Sequence, residues 1–404
     1  MLTILKNIAW IVLPILGHAL FWIGMINRVH GLRLRHRVVL PLQLFHFAWV
    51  PLASLAWVWA VGWHGPQLLF GGNPAHLAWP ARWGGLAFMA VALLGLLRWV
   101  ALALRPPARQ IVSERRELRH PDRELVSSPI DRQARGAWWL SIPGNEILSL
   151  EIIELELTLP RLPPAWEGLR ILHLSDLHFT GAVTLPFYAR VFELARQHPC
   201  DLVVFTGDLL DDPGLHTWIG PTLGSLTAPL GCFYLLGNHD WEWGDVDRSR
   251  QVLDSFGWQN VGGQTRRLVW RGQPIVLAGD ERPWWGPGPN WSLAEPGDFR
   301  LLLSHTPDNL PSARRAGVDL MLAGHTHGGQ ACLPVVGPVY SPSLLGVKYA
   351  GGTFDCQPTL LRVSRGVGGM YPWRWNCRPE ITYLTLRTMA HPHLRADQAK
   401  SGPG

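Results

Sequence analysis

Five short apolar runs in this 404-residue chain each end at a cluster of residues that offer lone pairs. Residues 169–174 lead into Asp176-Leu177-His178, and 202–205 into Gly207-Asp208. Residues 232–236 lead into Gly237-Asn238-His239-Asp240, 301–303 into His305, and 320–323 into Gly324-His325-Thr326-His327. Apolar runs of this length bounded by turn residues are typical of buried strands. Ligands bind beyond the carboxyl ends of such strands, so the five clusters are expected to converge on one rim. Helical spacing between the runs, as in Phe187, Val191 and Leu194 or in 252–256, gives an α/β pattern. Strands are also expected over 150–159, 359–363 and 381–386.

The first hundred residues obey a different logic. Residues 4–26, 38–63 and 84–104 are apolar runs, and about 20 such residues cross a bilayer. Pro14, Pro41 and Pro51 are tolerated there because neighbouring helices satisfy the freed backbone groups. A cleaved signal peptide is the alternative for the first run, but apolar character continues through Ile26 and two more runs follow. The net charge of +6 is concentrated beside these runs. Four arginines lie in 28–37, and eight lie in 105–135 against five acids. This pattern points to membrane topology rather than a nucleic-acid groove. With both basic segments inside, the amino terminus is outside, and everything after residue 105 lies in the cytoplasm at the plasma (inner) membrane. The five cysteines show no C-x-x-C spacing and read as reduced and unpaired.

The expected organisation is three transmembrane helices over 1–104, an Arg-rich linker over 105–149, an α/β domain over 150–389 and a disordered tail over 390–404. In that domain the pleat predicts that Asp176 and His178, two apart, face one side and chelate one ion. Asp208 has two carboxylate oxygens with which to bridge two cations. Asn238 adds a neutral carbonyl, and His305, His325 and His327 add imidazole nitrogens. The mixture suits manganese first, with iron or zinc as alternatives, better than calcium or magnesium. Two such ions about 4 Å apart clamp a phosphate, activate water and stabilise the leaving oxygen.

The series D-x-H, G-D, G-N-H-D, H and G-H-T-H, complete and in order over 168–388, resembles the calcineurin-like metallophosphoesterases, and with its apolar start the bacterial transmembrane subgroup. The resemblance implies two packed mixed β-sheets flanked by helices. It assigns Asp176, His178 and His327 to one metal, Asn238, His305 and His325 to the other, and Asp208 to both. It also implies in-line attack by a metal-bridging hydroxide. His239 would contact phosphate and protonate the leaving oxygen, with Asp240 orienting it as catalytic partner. Asp211 and Asp212 either support the site or sit in a solvated turn. His173, His198 and His216 read as structural or solvated. Related family members hydrolyse the pyrophosphate of UDP-2,3-diacylglucosamine in lipid A biosynthesis, which suggests a lipid-linked phosphoester or pyrophosphate as substrate and membrane lipids as partners. A nucleotide, a phosphoprotein or a scaffold with a structural metal are the alternatives. Tryptophans at 241, 243, 284, 285 and 291 are expected to bind substrate, meet the membrane, or reflect a Trp-rich chain.

Overall fold

The computed structural model describes residues 2–125 and 127–389. Among these, two compact units emerge: 2–106 with 335–348, and 107–334 with 349–389. In the first, α1 (Leu2–His30), α2 (His36–Trp57, extended by a π-helical stretch Val58–His64) and α3 (Trp79–Ala103) are each long and apolar enough to cross a membrane. Pro14, Pro41 and Pro51 lie inside helices. Glycines set close helix approach. A Cβ at Gly17 would sit 1.7 Å from the Phe88 carbonyl oxygen, and one at Gly95 2.7 Å from Leu20. Small residues at crossings are how membrane helices gain contact where no hydrophobic force distinguishes neighbour from lipid.

The segment 335–348, expected in the α/β domain, belongs to this helical unit. Asn27, 3 % exposed, clamps it with both ends of its amide: Nδ2 donates to the Val339 carbonyl at 3.2 Å, and Oδ1 accepts from Ser341 N–H. The Tyr340 hydroxyl bonds His30 Nδ1 at 2.7 Å, and Trp99 and Arg98 donate to the Val336 and Leu345 carbonyls.

The second unit contains two mixed sheets. The first runs β1 (Ile111–Arg119), β2 (Leu150–Leu159), β13 (Glu380–Thr388), β3 (Arg170–Leu174), β4 (Leu202–Thr206), β5 (Cys232–Leu235) and β6 (Trp258–Asn260). The second runs β11 (Gly352–Cys356), β12 (Thr359–Val363), β10 (Leu320–Ala323), β9 (Arg300–Ser304), β8 (Gln273–Asp280) and β7 (Thr265–Trp270). Strands β3 to β6 are parallel to one another, as are β8, β9, β10 and β12. Alternation along the strands divides the core. Leu202 and Val204 join Leu301, Leu303, Leu320 and Leu322 between the sheets. Val203 and Phe205 pack on the other face with Phe187, Val191 and Phe192 of α4 (Leu185–Arg196) and Leu253 of α5 (Val246–Ser255). Each fully buried side chain of this size contributes about 1.5–3 kcal/mol. One ionic network is buried here. Glu380, 1 % exposed, accepts from Arg362 at 2.5 Å and from Arg365, and Arg365 reaches Glu151 at 2.6 Å.

The fold agrees with two packed, mixed sheets flanked by helices. The expected linker differs, because β1 pairs antiparallel along β2 from within it. An edge strand keeps charge on its exposed faces, so Ile-Val-Ser-Glu-Arg-Arg-Glu-Leu-Arg reads as polar although its backbone is in the sheet. The expected disordered tail, 390–404, lies outside the described residues.

Candidate metal centre

The five clusters converge from both sheets: beyond β3, β4 and β5 of the first, and β9 and β10 of the second. Asp176 and His178 meet for a reason other than the pleat. They lie past the end of β3 with φ of 51° and 46°, in the left-handed region. Their backbone N–H groups donate to the Gly207 and Asp208 carbonyls at 2.9 and 3.1 Å. Asp208, His325 and His327 also have φ of 59°, 71° and 52°. Left-handed backbone costs a non-glycine residue about 1–3 kcal/mol and persists only where the surroundings impose it. Five of the seven expected ligands are held this way, each on a tight turn that aims its side chain inward.

Neighbouring glycines leave no space for a side chain. A Cβ at Gly237 would lie 2.1 Å from Asp208 Oδ1, one at Gly324 2.4 Å from Asp176 Oδ2, and one at Gly366 2.5 Å from Asp176 Cβ. Gly366 has φ of +72° and was not singled out in the sequence.

The donor atoms of the expected ligands form two groups that share Asp208, while His178, Asp211 and His239 cluster as a third. Asp176, His178, Asp208 and His327 make one, and Asp208, His305 and His325 the other. Asn238 Oδ1 joins the second, 2.9 Å from His305 Nε2. All seven ligands expected from the sequence are brought together. Asp208 is shared through one oxygen: Oδ1 accepts His239 N–H at 2.9 Å, whereas Oδ2 is buried without a hydrogen bond, 3.4 Å from His178 Nε2 and 3.2 Å from His305 Nε2.

Tautomers follow from the partners. His305 Nδ1 lies 2.7 Å from the Thr206 carbonyl, which only accepts, so Nδ1 carries a proton and Nε2 is the nitrogen that faces the site, open to a cation or a second proton. His178 Nδ1 donates to Asp211 Oδ2 at 2.9 Å, with the same result. His178 Nε2 then lies 3.2 Å from His327 Nε2, and His305 Nε2 3.1 Å from His325 Nδ1. Imidazole nitrogens facing one another around a buried carboxylate oxygen are what divalent cations require, and the seven residues fit a pair of them.

Charge supports the same reading. Burial lowers the His305 pKa, but Asp208 and Asp176 outweigh it and push it up to about 9. His239 is likewise raised to about 10, with burial outweighed by Asp211 and Asp208. The site therefore demands positive charge. Burial, His178 and Arg374 hold His327 well below its ordinary value, leaving a neutral imidazole. Asp176, His178, Asp208 and His305 are buried, whereas the side chains of His239 and His327 keep 16 and 12 % exposure and form the opening.

The expected pairing of His239 with Asp240 is different in the structure. His239 Nδ1 bonds Asp211. Asp240 instead gathers the turn, accepting backbone N–H from Asp208, Leu209, Leu210 and Gly237 at 2.8–3.2 Å. A carboxylate one residue along the same helical turn is better placed for those amides, and Asp211 arrives from the turn after β4. Asp211 thus ties His178 to His239. The signal for it was its place three residues after Asp208.

Other supports were not read from the sequence. Arg374, fully buried, donates to the carbonyls of His327, Arg365 and Gly368. Trp284, 2 % exposed, packs edge-on against His305 and His325, with ring centroids 5.3 and 5.1 Å away. One tryptophan of the Trp-rich loop therefore has a structural role. His173 bonds Thr206, and His216 bonds Ser249, both buried away from the ligand set.

Residues 169–329 match the model of the calcineurin-like phosphoesterase family. YkuE of Bacillus subtilis, a metallophosphoesterase, is 34 % identical over 56 % of this chain and 82 % of its own length. The phosphodiesterase YaeI of Escherichia coli is 32 % identical over 54 % and 82 %. The UDP-2,3-diacylglucosamine pyrophosphatase LpxG of Chlamydia trachomatis is 27 % identical over 58 % and 88 %. With the donor set complete, the chain belongs to the calcineurin-like phosphoesterases, metal-dependent hydrolases of phosphoric esters.

Proposed function

We propose that this chain is a membrane-anchored phosphoesterase whose Asp176, His178 and His327 hold one divalent ion, whose Asn238, His305 and His325 hold a second, and whose Asp208 is shared. The observation that carries this reading is the pair of donor groups meeting at the one buried oxygen of Asp208. Bound divalent ions would supply the positive charge that clamps a phosphate and activates water there; manganese suits the donor set, with iron and zinc as alternatives. His239 contacts the phosphate and gives a proton to the leaving oxygen. With Nδ1 engaged by Asp211, Nε2 is its available nitrogen, and the surrounding carboxylates favour its protonated form. Asp240 positions the turn that carries Asp208 and Asn238.

The substrate is a lipid-linked phosphodiester or pyrophosphate such as UDP-2,3-diacylglucosamine. Support comes from LpxG, named for that activity, and from three helices apolar enough to span a membrane. Arginine placement favours a cytoplasmic catalytic unit at the inner membrane. The test is hydrolysis by the full chain in detergent with manganese, comparing UDP-2,3-diacylglucosamine, bis(p-nitrophenyl) phosphate and cyclic nucleotides. Preference for the diacylated sugar nucleotide is expected. Turnover of the aryl diester with no such preference would remove the lipid assignment and leave the phosphoesterase, and no turnover of any would remove both.

A further inference from the structure

The helical unit contains a cavity of about 610 Å³ with four cations in its wall: Arg28, Arg98, Arg105 and Lys348. Leu344 and Leu345 are among its apolar lining, and no acidic side chain is among the lining residues. Arg28 lies in the last turn of α1, Arg98 in the last turns of α3 and Arg105 just beyond it, so one end of the helical unit gathers the charge. Lys348 comes from the segment 335–348 that Asn27, His30, Arg98 and Trp99 hold against these helices.

We infer that this cavity binds the phosphate of an anionic membrane lipid. Volume, charge and setting agree. Small-ligand sites occupy roughly 300–1,000 Å³, and basic pockets between spans are where anionic headgroups lodge. The segment also leaves Val335, Val336 and Leu344 at 89, 49 and 44 % exposure. Apolar side chains this open are costly in water and suited to the acyl–headgroup boundary, which favours a lipid over a soluble phosphate. The cations sit at the level where a spanning helix leaves the hydrocarbon, and Arg98 reaches the Leu345 carbonyl from there. None of these residues belongs to the metal centre, so the site is a second binding function of the chain.

The inference rests on reading α1 to α3 as spans, which alkaline carbonate extraction of membranes tests separately. Release of the chain into the soluble fraction would overturn that reading and the lipid site with it. The direct test is native mass spectrometry of the full chain, delipidated in detergent and titrated with phosphatidylglycerol or phosphatidylcholine. Phosphatidylglycerol should be retained at least about tenfold better, since each nearby cation is worth roughly fivefold in affinity for anionic lipid. Arg28→Gln/Arg105→Gln should remove that preference and Lys348→Gln should weaken it, with aryl diester hydrolysis unchanged in both. Arg33→Gln/Arg35→Gln, in the neighbouring basic loop, should leave it intact. Equal retention of both lipids, an equal loss in the Arg33/Arg35 variant, or displacement by equimolar glycerol 3-phosphate would overturn the proposal. If the double variant is inactive, Lys348→Gln decides: unchanged preference overturns the site.

Discussion

Leu55, Leu94 and Leu97 in the helical unit are 66, 64 and 56 % exposed, whereas Leu202, Leu301 and Leu322 between the two sheets are at 0 %. The same side chain serves opposite purposes, because one unit exposes helices apolar enough to face lipid and the other excludes water from a packed interior. Polar groups reverse in step. The helical unit gathers four cations at one cavity. The globular unit buries Asp176, Asp208 and Asp240, with Asp211 half-buried beside them, an accumulation of carboxylates that cations would offset. The lesson is that each unit's solvent sets what its sequence has to conceal.

The strongest challenge to that contrast is at the opening of the metal centre. His239→Ala should lower kcat about 10²- to 10⁴-fold, the range for loss of a general acid, while membrane extraction of the chain stays as it was. Next is the buried ionic network. Arg362 and Arg365 outweigh burial to hold Glu380 down at about 2 against an ordinary value of 4.5. Its stabilisation is therefore complete above pH 4.5 and lost as pH falls through about 2. Glu380→Gln should cost about 3–5 kcal/mol at neutral pH, by leaving two arginines facing a neutral amide, and should flatten the acid limb in chemical denaturation.

A matched pair of leucines tests the contrast directly. Leu322→Ala should cost about 2–5 kcal/mol through the lost contacts and the cavity, whereas Leu94→Ala in α3 should fall within about 0.5 kcal/mol, as at other open positions. Equal costs would mean that α3 is buried in a partner. The smaller of the two effects on activity is expected at Asp211. Asp211→Asn should lower activity about 10- to 100-fold, as removal of a hydrogen-bonded partner behind a metal ligand does. It also removes the charge that does most to raise His239, so the alkaline limb of the pH–rate profile should move to lower pH. A purely structural role would reduce the rate without moving that limb.

The ligand set was legible in the sequence because each donor follows its strand within a few residues, so strand order alone brings the groups together. Helices α1 to α3 were legible because long, uninterrupted apolar runs mark helices able to cross a membrane. Three things were hidden. β1 is an edge strand whose exposed faces carry arginine and glutamate, and only its pairing with β2 identifies it. The segment 335–348 is fixed by Asn27 and His30, some 310 residues earlier in the chain. Arg374 acts on a ligand contributed by another element, and Gly366 matters through a Cβ that would strike Asp176, whereas Asp211 was visible in the sequence and only its choice between support and solvated turn was left open. Such contacts depend on tertiary geometry, and local pattern does not encode them.

The most direct measurement is the metal content of the full chain, purified with manganese, dialysed and analysed by inductively coupled plasma mass spectrometry beside Asp208→Ala. Two ions per folded chain are expected in the parent, with a clear loss of ions and of aryl diester hydrolysis in the variant. A parent that hydrolyses the diester with no stoichiometric metal, or an Asp208→Ala variant that keeps both ions and full activity, would contradict the assignment of these seven residues.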